Sequence, residues 1–159
     1  MDLVGQSTSL ETFAGILDGA AIVEHCRRAH SVAQYRDWLA DPDAAIWIAE
    51  SAHANAPAGY AVVARPQLPG ADAARDLELK RIYLLSRFHG GGTGKQLLRQ
   101  AVEFVTAAGA ARLLLGVYSG NEAAIGFYLR QGFVHLTHRQ FNVGGRMYDD
   151  YVLSLTLSS

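Results

Sequence analysis

The chain has little cysteine, little proline and no block of one charge sign. Its single cysteine, Cys26, excludes an intramolecular disulfide and a cysteine-rich zinc site. Cys26 reads as a structural thiol, because its neighbour His25 would point to a different face of a helix and could not activate it. Lysine plus arginine number 14 against 15 aspartate plus glutamate, a net charge of −1. With no basic run, nucleic acid is a poor partner. No apolar stretch approaches the length of a membrane span, and the short polar opening reads as carrying no signal peptide. Cytoplasm is therefore the expected compartment. What the chain has is a half-hydrophobic composition over 159 residues, enough for one domain with a real core. It also has 16 glycines, unevenly placed.

The densest group is His89-Gly90-Gly91-Gly92-Thr93-Gly94-Lys95. An apolar run precedes it and a helical run follows it. A strand that opens through glycines into a helix presents bare backbone N–H groups at a helix start, where they and the helix dipole attract phosphate. Two familiar phosphate motifs fail on spacing. A Walker loop would need glycine at position 89 and serine or threonine at 96, where His89 and Gln96 stand. The dinucleotide fingerprint would need glycine at Leu97 or at Lys95.

The remaining periodicities give an order of elements. Residues 1–9 are expected to be poorly ordered. A helix is expected over 10–17 with Ser9 as its N-cap and Thr12 facing in, then helices over 20–29 and 31–39. Strands follow over 45–50 and 58–64, joined by a turn, and over 77–84. Helix 94–108 carries Leu97, Leu98, Ala101, Val102 and Val105 on one side. The nearly unbroken apolar run 112–118 reads as a buried strand. A helix over 122–131 starts at Asn121, and two strands over 133–141 and 147–157 flank Asn142-Val143-Gly144-Gly145 as a hairpin. In strand 77–84 the apolar alternation changes phase at Lys80-Arg81, which predicts a β-bulge.

The spacing that the glycines do fit is (Arg/Gln)-x-x-Gly-x-(Gly/Ala), with His89 in the first place, then Gly92 and Gly94. In this the chain resembles motif A of the GNAT superfamily of acyl-CoA-dependent N-acyltransferases. A second stretch, Asn121 to Phe133, is similar to the N-x-x-A-x-x-F-Y-x-x-x-G-F signature of the same superfamily, with Asn121, Ala124, Phe127, Tyr128, Gly132 and Phe133 in place. The resemblance implies an α+β fold: a mixed, mainly antiparallel sheet flanked by helices, with a central parallel pair splayed around acetyl-CoA. That fold usually opens on a strand, for which residues 1–9 offer little, so the first strand is expected to be missing. The whole of 1–159 is read as one such domain.

The resemblance also implies a site. Main-chain groups of Ile82, Tyr83 and Leu84 would hold the pantetheine arm. His89, Gly90, Gly91, Gly92, Thr93, Gly94 and Lys95 would hold the diphosphate. Asn121 would bond the arm. Tyr128 would sit near the sulfur as general acid. Glu78 matches a glutamate that serves as general base in one branch, or it forms an ion pair with Lys80; Glu50 is a weaker alternative. Acetyl-CoA is the implied co-substrate, with no metal.

Further stretches, Glu11-Thr12-Phe13, residues 77–83 and residues 115–122, resemble the bacterial spermidine/spermine N-acetyltransferase branch. They point to direct transfer of acetyl to a small amine, polyamine-like first and peptide or protein amines next. Glu78, Glu50, Asp149 and Asp150 are the carboxylates such a polycation would need. Tyr83 and Tyr148 are candidates to line its pocket, whereas Trp38 and Trp47 read as core. The competing reading is a CoA-binding sensor without chemistry. Exposed sheet edges would admit a homodimer.

Overall fold

The computed structural model describes residues 1–143 and 146–157. Three helices open the chain: α1 (Asp2–Phe13), α2 (Gly19–Ala29) and α3 (Val32–Ala40). Strands β1 (Ala45–Glu50), β2 (Pro57–Ala64) and β3 (Asp76–Leu84) follow, then α4 (Thr93–Ala107), β4 (Arg112–Tyr118), α5 (Glu122–Arg130), β5 (Val134–Val143) and β6 (Arg146–Thr156). The strands form one sheet in the order β1-β2-β3-β4-β6-β5. Every pairing is antiparallel except β3 with β4. That exception follows from the crossover through α4, which returns the chain in the same direction.

Strand alternation divides the core into two layers. Ala61 and Val63 of β2 face Leu97, Leu98, Ala101 and Val105 of α4, with Leu113, Leu115, Val117, Tyr128 and Phe133. Tyr60 and Val62 face Val4 of α1 and Tyr35 of α3 on the opposite side. Being covered on both faces, β2 is buried over nearly its whole length, as its apolar composition requires.

The bulge falls where the sequence places it. Val62 pairs with Arg81 and Val63 with Leu79, so Lys80 has no partner on β2. The extra residue lets Leu77, Leu79 and Ile82 all pack toward α4, although their numbers differ in parity. Lys80 and Arg81 therefore share the α1–α3 side of the sheet.

The amino-terminal helix differs from expectation. It spans Asp2–Phe13 rather than 10–17, and no strand precedes it. Ser9 is not its cap but lies within it, 3% exposed, bonded to the imidazole Nε2 of His30 at 2.8 Å. Thr12 faces out. The reason is compositional: the buried residues of α1 are Val4, Gly5, Thr8 and Ser9, a small and polar set that leaves no apolar stripe to read. Helices α2 and α3 start where residues 18 and 31 cap them. Asp18 accepts from the amides of Ala20 and Ala21, and Ser31 accepts from that of Gln34. The expected turn glycines Gly144 and Gly145 lie outside the described residues.

A hydrogen-bonded chain stitches this layer together. His30, wholly buried, bonds Ser9 on one ring nitrogen and the Tyr35 hydroxyl on the other, at 3.0 Å; Tyr35 in turn bonds Tyr60. Gly5 makes room for it. A Cβ at Gly5 would stand 2.4 Å from His30 Nδ1 and 2.6 Å from the Tyr60 hydroxyl.

Candidate active site

The parallel pairing of β3 and β4 is short. It covers Asp76 with Arg112, Leu77 with Leu113 and Glu78 with Leu114, and then stops. Beyond it β3 continues beside β2 alone and β4 beside β6 alone, so the two strands splay into a fork. The closed end is pinned by Arg112, which donates from Nε and Nη2 to the buried Asp76. The open end carries unpaired main-chain groups. The Leu85 amide donates to the Ala58 carbonyl at 2.9 Å while Leu84 stands opposite Gly59. Alternation then turns the N–H and C=O of Leu84 and Ile82 into the fork, and those of Tyr83 toward β2. Of the three edge residues named from sequence, Ile82 and Leu84 offer backbone to a strand-like ligand. Tyr83 offers only its side chain. Its ring packs on His30 and Tyr60, and its hydroxyl accepts from Arg81 Nη1 at 3.4 Å.

The glycine loop lies at that open end. One turn, Ser86–Phe88, leads into it. Gly92, with φ 84°, is the N-cap of α4, and no side chain caps the helix. The first-turn amides are therefore free for an anion, and the first turn of α4 holds no acidic residue. A Cβ at Gly90, Gly92 or Gly94 would meet nothing within 4 Å, so this surface is open. His89 adds something that its position in the motif did not foretell. Its ring Nε2 bonds the Leu84 carbonyl at 2.8 Å; the ring donates, since a carbonyl only accepts. The loop is thereby tied to the edge of the fork. Thr93 and Lys95 complete the helix start, Lys95 exposed.

Helix α5 forms the second wall. Asn121 caps it by accepting from the Ala124 amide at 3.1 Å, which leaves its side-chain NH2 to donate elsewhere. Tyr128 is 8% exposed, with its ring against Phe127 and Phe133. Its hydroxyl makes no hydrogen bond among the described residues. Burial pushes its pKa well above that of an ordinary phenol, so at neutral pH it holds a proton to give.

The candidate carboxylates do not converge. Glu78, at the crotch of the fork, is buried; its Oε2 accepts from Lys80 Nζ at 2.8 Å and from the Gln67 amide at 2.7 Å. Glu50 lies on edge strand β1, and Asp149 and Asp150 lie on β6 near the other edge. Asp149 is bonded by Gln140, and buried Asp150 by Arg139. Tyr148 does join an aromatic group, with Tyr118, Phe141 and, through Tyr118, Phe13. Trp38 and Trp47 pack into the two core layers. Cys26 is buried, which raises its thiol pKa and removes it as a nucleophile. Sequence reasoning passed over Gly116 and Arg139. The only signal was a glycine inside an otherwise apolar strand, which marks a close approach of another group. Among the described residues no helix is long and apolar enough to cross a membrane, and no group of three His, Cys, Asp or Glu is placed to hold a metal ion.

Known proteins share both the sequence and the architecture. The acetyltransferase (GNAT) family matches residues 13–133. Uncharacterized N-acetyltransferases of Mycobacterium tuberculosis and Mycobacterium bovis are 36% identical over 123 residues, covering 77% of this chain and 74% of theirs. The fold is similar to that of the PaiA N-acetyltransferase from Thermoplasma acidophilum, solved in complex with coenzyme A. The TM-score is 0.77 at 20% identity, with 98% of this chain and 90% of that one covered. The Ribosomal-protein-alanine N-acetyltransferase from Brucella melitensis gives a TM-score of 0.70 at 22% identity, over 98% and 91%. With its fork, its uncapped glycine-led helix and its matched sequence, the chain belongs to the GNAT family of N-acetyltransferases and uses acetyl-CoA as its co-substrate.

Proposed function

We propose that the enzyme passes acetyl directly from CoA to the primary amine of a small acceptor bound on the α1–α3 side of the fork. The carrying observation is that strand pairing ends at Glu78 and Leu114 with an uncapped α4 start at the open end. The diphosphate lies on the amides of residues 90–95. The pantetheine amides pair with Ile82 and Leu84 as an added strand, steadied by Asn121. The sulfur then lies near Tyr128.

In the reaction the amine nitrogen bonds to the thioester carbon and the carbon–sulfur bond breaks. Tyr128 gives its proton to the departing thiolate, and the base that takes the amine proton restores it through solvent. Glu78 is the base proposed. Its Oε1 makes no hydrogen bond among the described residues, while Lys80 and the Gln67 amide hold Oε2. Its test is the pH–rate profile: an acid limb on kcat/KM that persists in Glu78→Gln removes Glu78 from the mechanism.

The polyamine-like acceptor suggested by sequence draws support from the Tyr118, Tyr148 and Phe141 rings, which suit a cation. Its four carboxylates remain apart, so the acceptor here is proposed at the level of a small amine. Mass spectrometry of an amine panel incubated with acetyl-CoA tests the whole reading. Acetylated product is expected; coenzyme bound with no transfer to any amine would leave only a sensor.

A further inference from the structure

This inference rests on the transfer reaction proposed above and concerns the acceptor that it serves. On β4, Leu115 and Val117 pack toward α4, so Gly116 and Tyr118 face the opposite side. Register puts Tyr118 beside Asp150 of β6, and Asp150 beside Arg139 of β5, all on that face. Gly116 is exposed in the middle of the sheet, and the Arg139 side chain lies across it. A Cβ there would stand 3.1 Å from Arg139 Nη2 and 3.5 Å from its Cζ. The guanidinium thus rests on the bare β4 wall of the fork.

Its orientation is fixed. Nε and Nη2 both donate to Asp150 Oδ2, at 3.1 and 3.0 Å, and Nη1 makes no hydrogen bond among the described residues. The Arg139 side chain is 38% exposed and that of Asp150 only 7%. An incoming acceptor therefore meets the cation, with its carboxylate partner behind. The Nη1–Nη2 edge that points away from Asp150 is the one that matches a carboxylate by two parallel bonds.

The β3 wall has the same polarity. Lys80 is paired with Glu78. Arg81 has no carboxylate partner among the described residues. It donates to the Ala29 carbonyl, lies over the Trp38 ring at 5.3 Å, and keeps a buried Nε without a hydrogen bond. On these two walls Glu78 pairs Lys80 and Asp150 pairs Arg139, which leaves Arg81 without a carboxylate; Glu11 of α1 is bonded to Ser86 beyond the end of β3. A polycation entering between these walls meets uncompensated positive charge, whereas an amine that carries its own anion supplies what is missing.

We propose that Arg139, seated on Gly116 and held by Asp150, selects an acceptor bearing a carboxylate near its amine: a small amino acid. The Nη1–Nη2 edge takes that carboxylate, and the amine turns to the thioester.

The test pairs each amino acid with the amine that remains when its carboxylate is removed, glycine with methylamine and lysine with cadaverine, and adds spermidine. Acetylation is followed by mass spectrometry and coenzyme binding by calorimetry. The amino acids are expected to be the better substrates by at least about tenfold in kcat/KM. Arg139→Gln combined with Asp150→Asn removes the pair without leaving a buried carboxylate alone. It should erase that preference chiefly through KM, with coenzyme affinity unchanged. Gly116→Ala, which displaces the guanidinium and keeps both charges, should weaken the preference in the same direction. Spermidine or the decarboxylated amines reacting as well as the amino acids, or variants that slow every acceptor alike, would overturn this assignment and leave acetyl transfer standing. Coenzyme bound with no amine acetylated would overturn both.

Discussion

The two faces of the sheet use glycine in opposite ways. On the side proposed for the coenzyme, at Gly90, Gly92 and Gly94, the missing side chains leave open space. On the helical side, at Gly5 and Gly116, the space is already filled, by the His30–Tyr35–Tyr60 group in one case and by Arg139 in the other. The first region keeps polar donors unmatched and ready. The second matches its polar atoms internally, one to the next, from Ser9 to Tyr60. Substitution should therefore hurt coenzyme binding at the glycine loop and folding at Gly5.

Acid gives the largest expected separation. Burial, followed by the charges of Arg81 and His25, lowers the His30 pKa from 6.5 to about 3, so the folded chain keeps that ring neutral. As pH falls below 6.5 the unfolded chain takes up a proton that the folded chain refuses. Stability present above pH 6.5 is then lost on the way down to about pH 3, by roughly 4–5 kcal/mol in all. Denaturant titrations across this range should show the decline, and His30→Asn should flatten its upper part. An unchanged slope in that variant would break the contrast at its strongest point.

Gly94→Asp comes next. It adds charge where the diphosphate is proposed to lie and should weaken CoA binding about a hundredfold or more. Its Cβ meets nothing and an acid suits a helix start, so Tm should hardly move. A large drop in Tm would show that the loop, too, is packed against protein.

Tyr128→Phe should lower kcat by about a hundredfold while calorimetry shows little change in CoA affinity. Full turnover would remove the phenol from the chemistry. The smallest effect expected is that of Gly5→Ala, about 1–2 kcal/mol of stability, read as a lower Tm with coenzyme affinity kept in the folded fraction. If the variant is as stable as the parent, the helical face is looser than its contacts indicate.

The same division explains what could be read from sequence. The half proposed to hold the coenzyme is local: residues 82–95 run through strand, glycines and helix without a break, and Asn121 to Phe133 form one helix with its cap and end. The bulge at Lys80 was legible because a period of two shows any change of phase. Helix α1 was not, because its inward face is made of glycine, threonine and serine whose partners, His30, Tyr35 and Tyr60, are remote in the chain. The half proposed for the acceptor depends on pairings across β4, β6 and β5. No spacing within the chain brings Gly116, Arg139 and Asp150 together before the strands are in register. Glu78 shows both sides of this. Its place on the strand was clear, and so was Lys80 two residues on, but the Gln67 amide that shares its oxygen comes from a loop.

The single unmatched residue in β3 has an evolutionary reach. Removing Lys80 would cost its ion pair with Glu78 but leave the Val63–Leu79 and Val62–Arg81 pairs adjacent, so the ladder with β2 would become even and every later residue would keep its present outlook. Loss of an in-register neighbour such as Ile82 would instead turn Tyr83 toward α4 and Leu84 toward the first three helices. A deletion one codon long is thus absorbed at the bulge and, two codons further on, exchanges one lining for the other. Beyond the bulge the length of this strand is held constant by the two opposite surfaces it must serve at once.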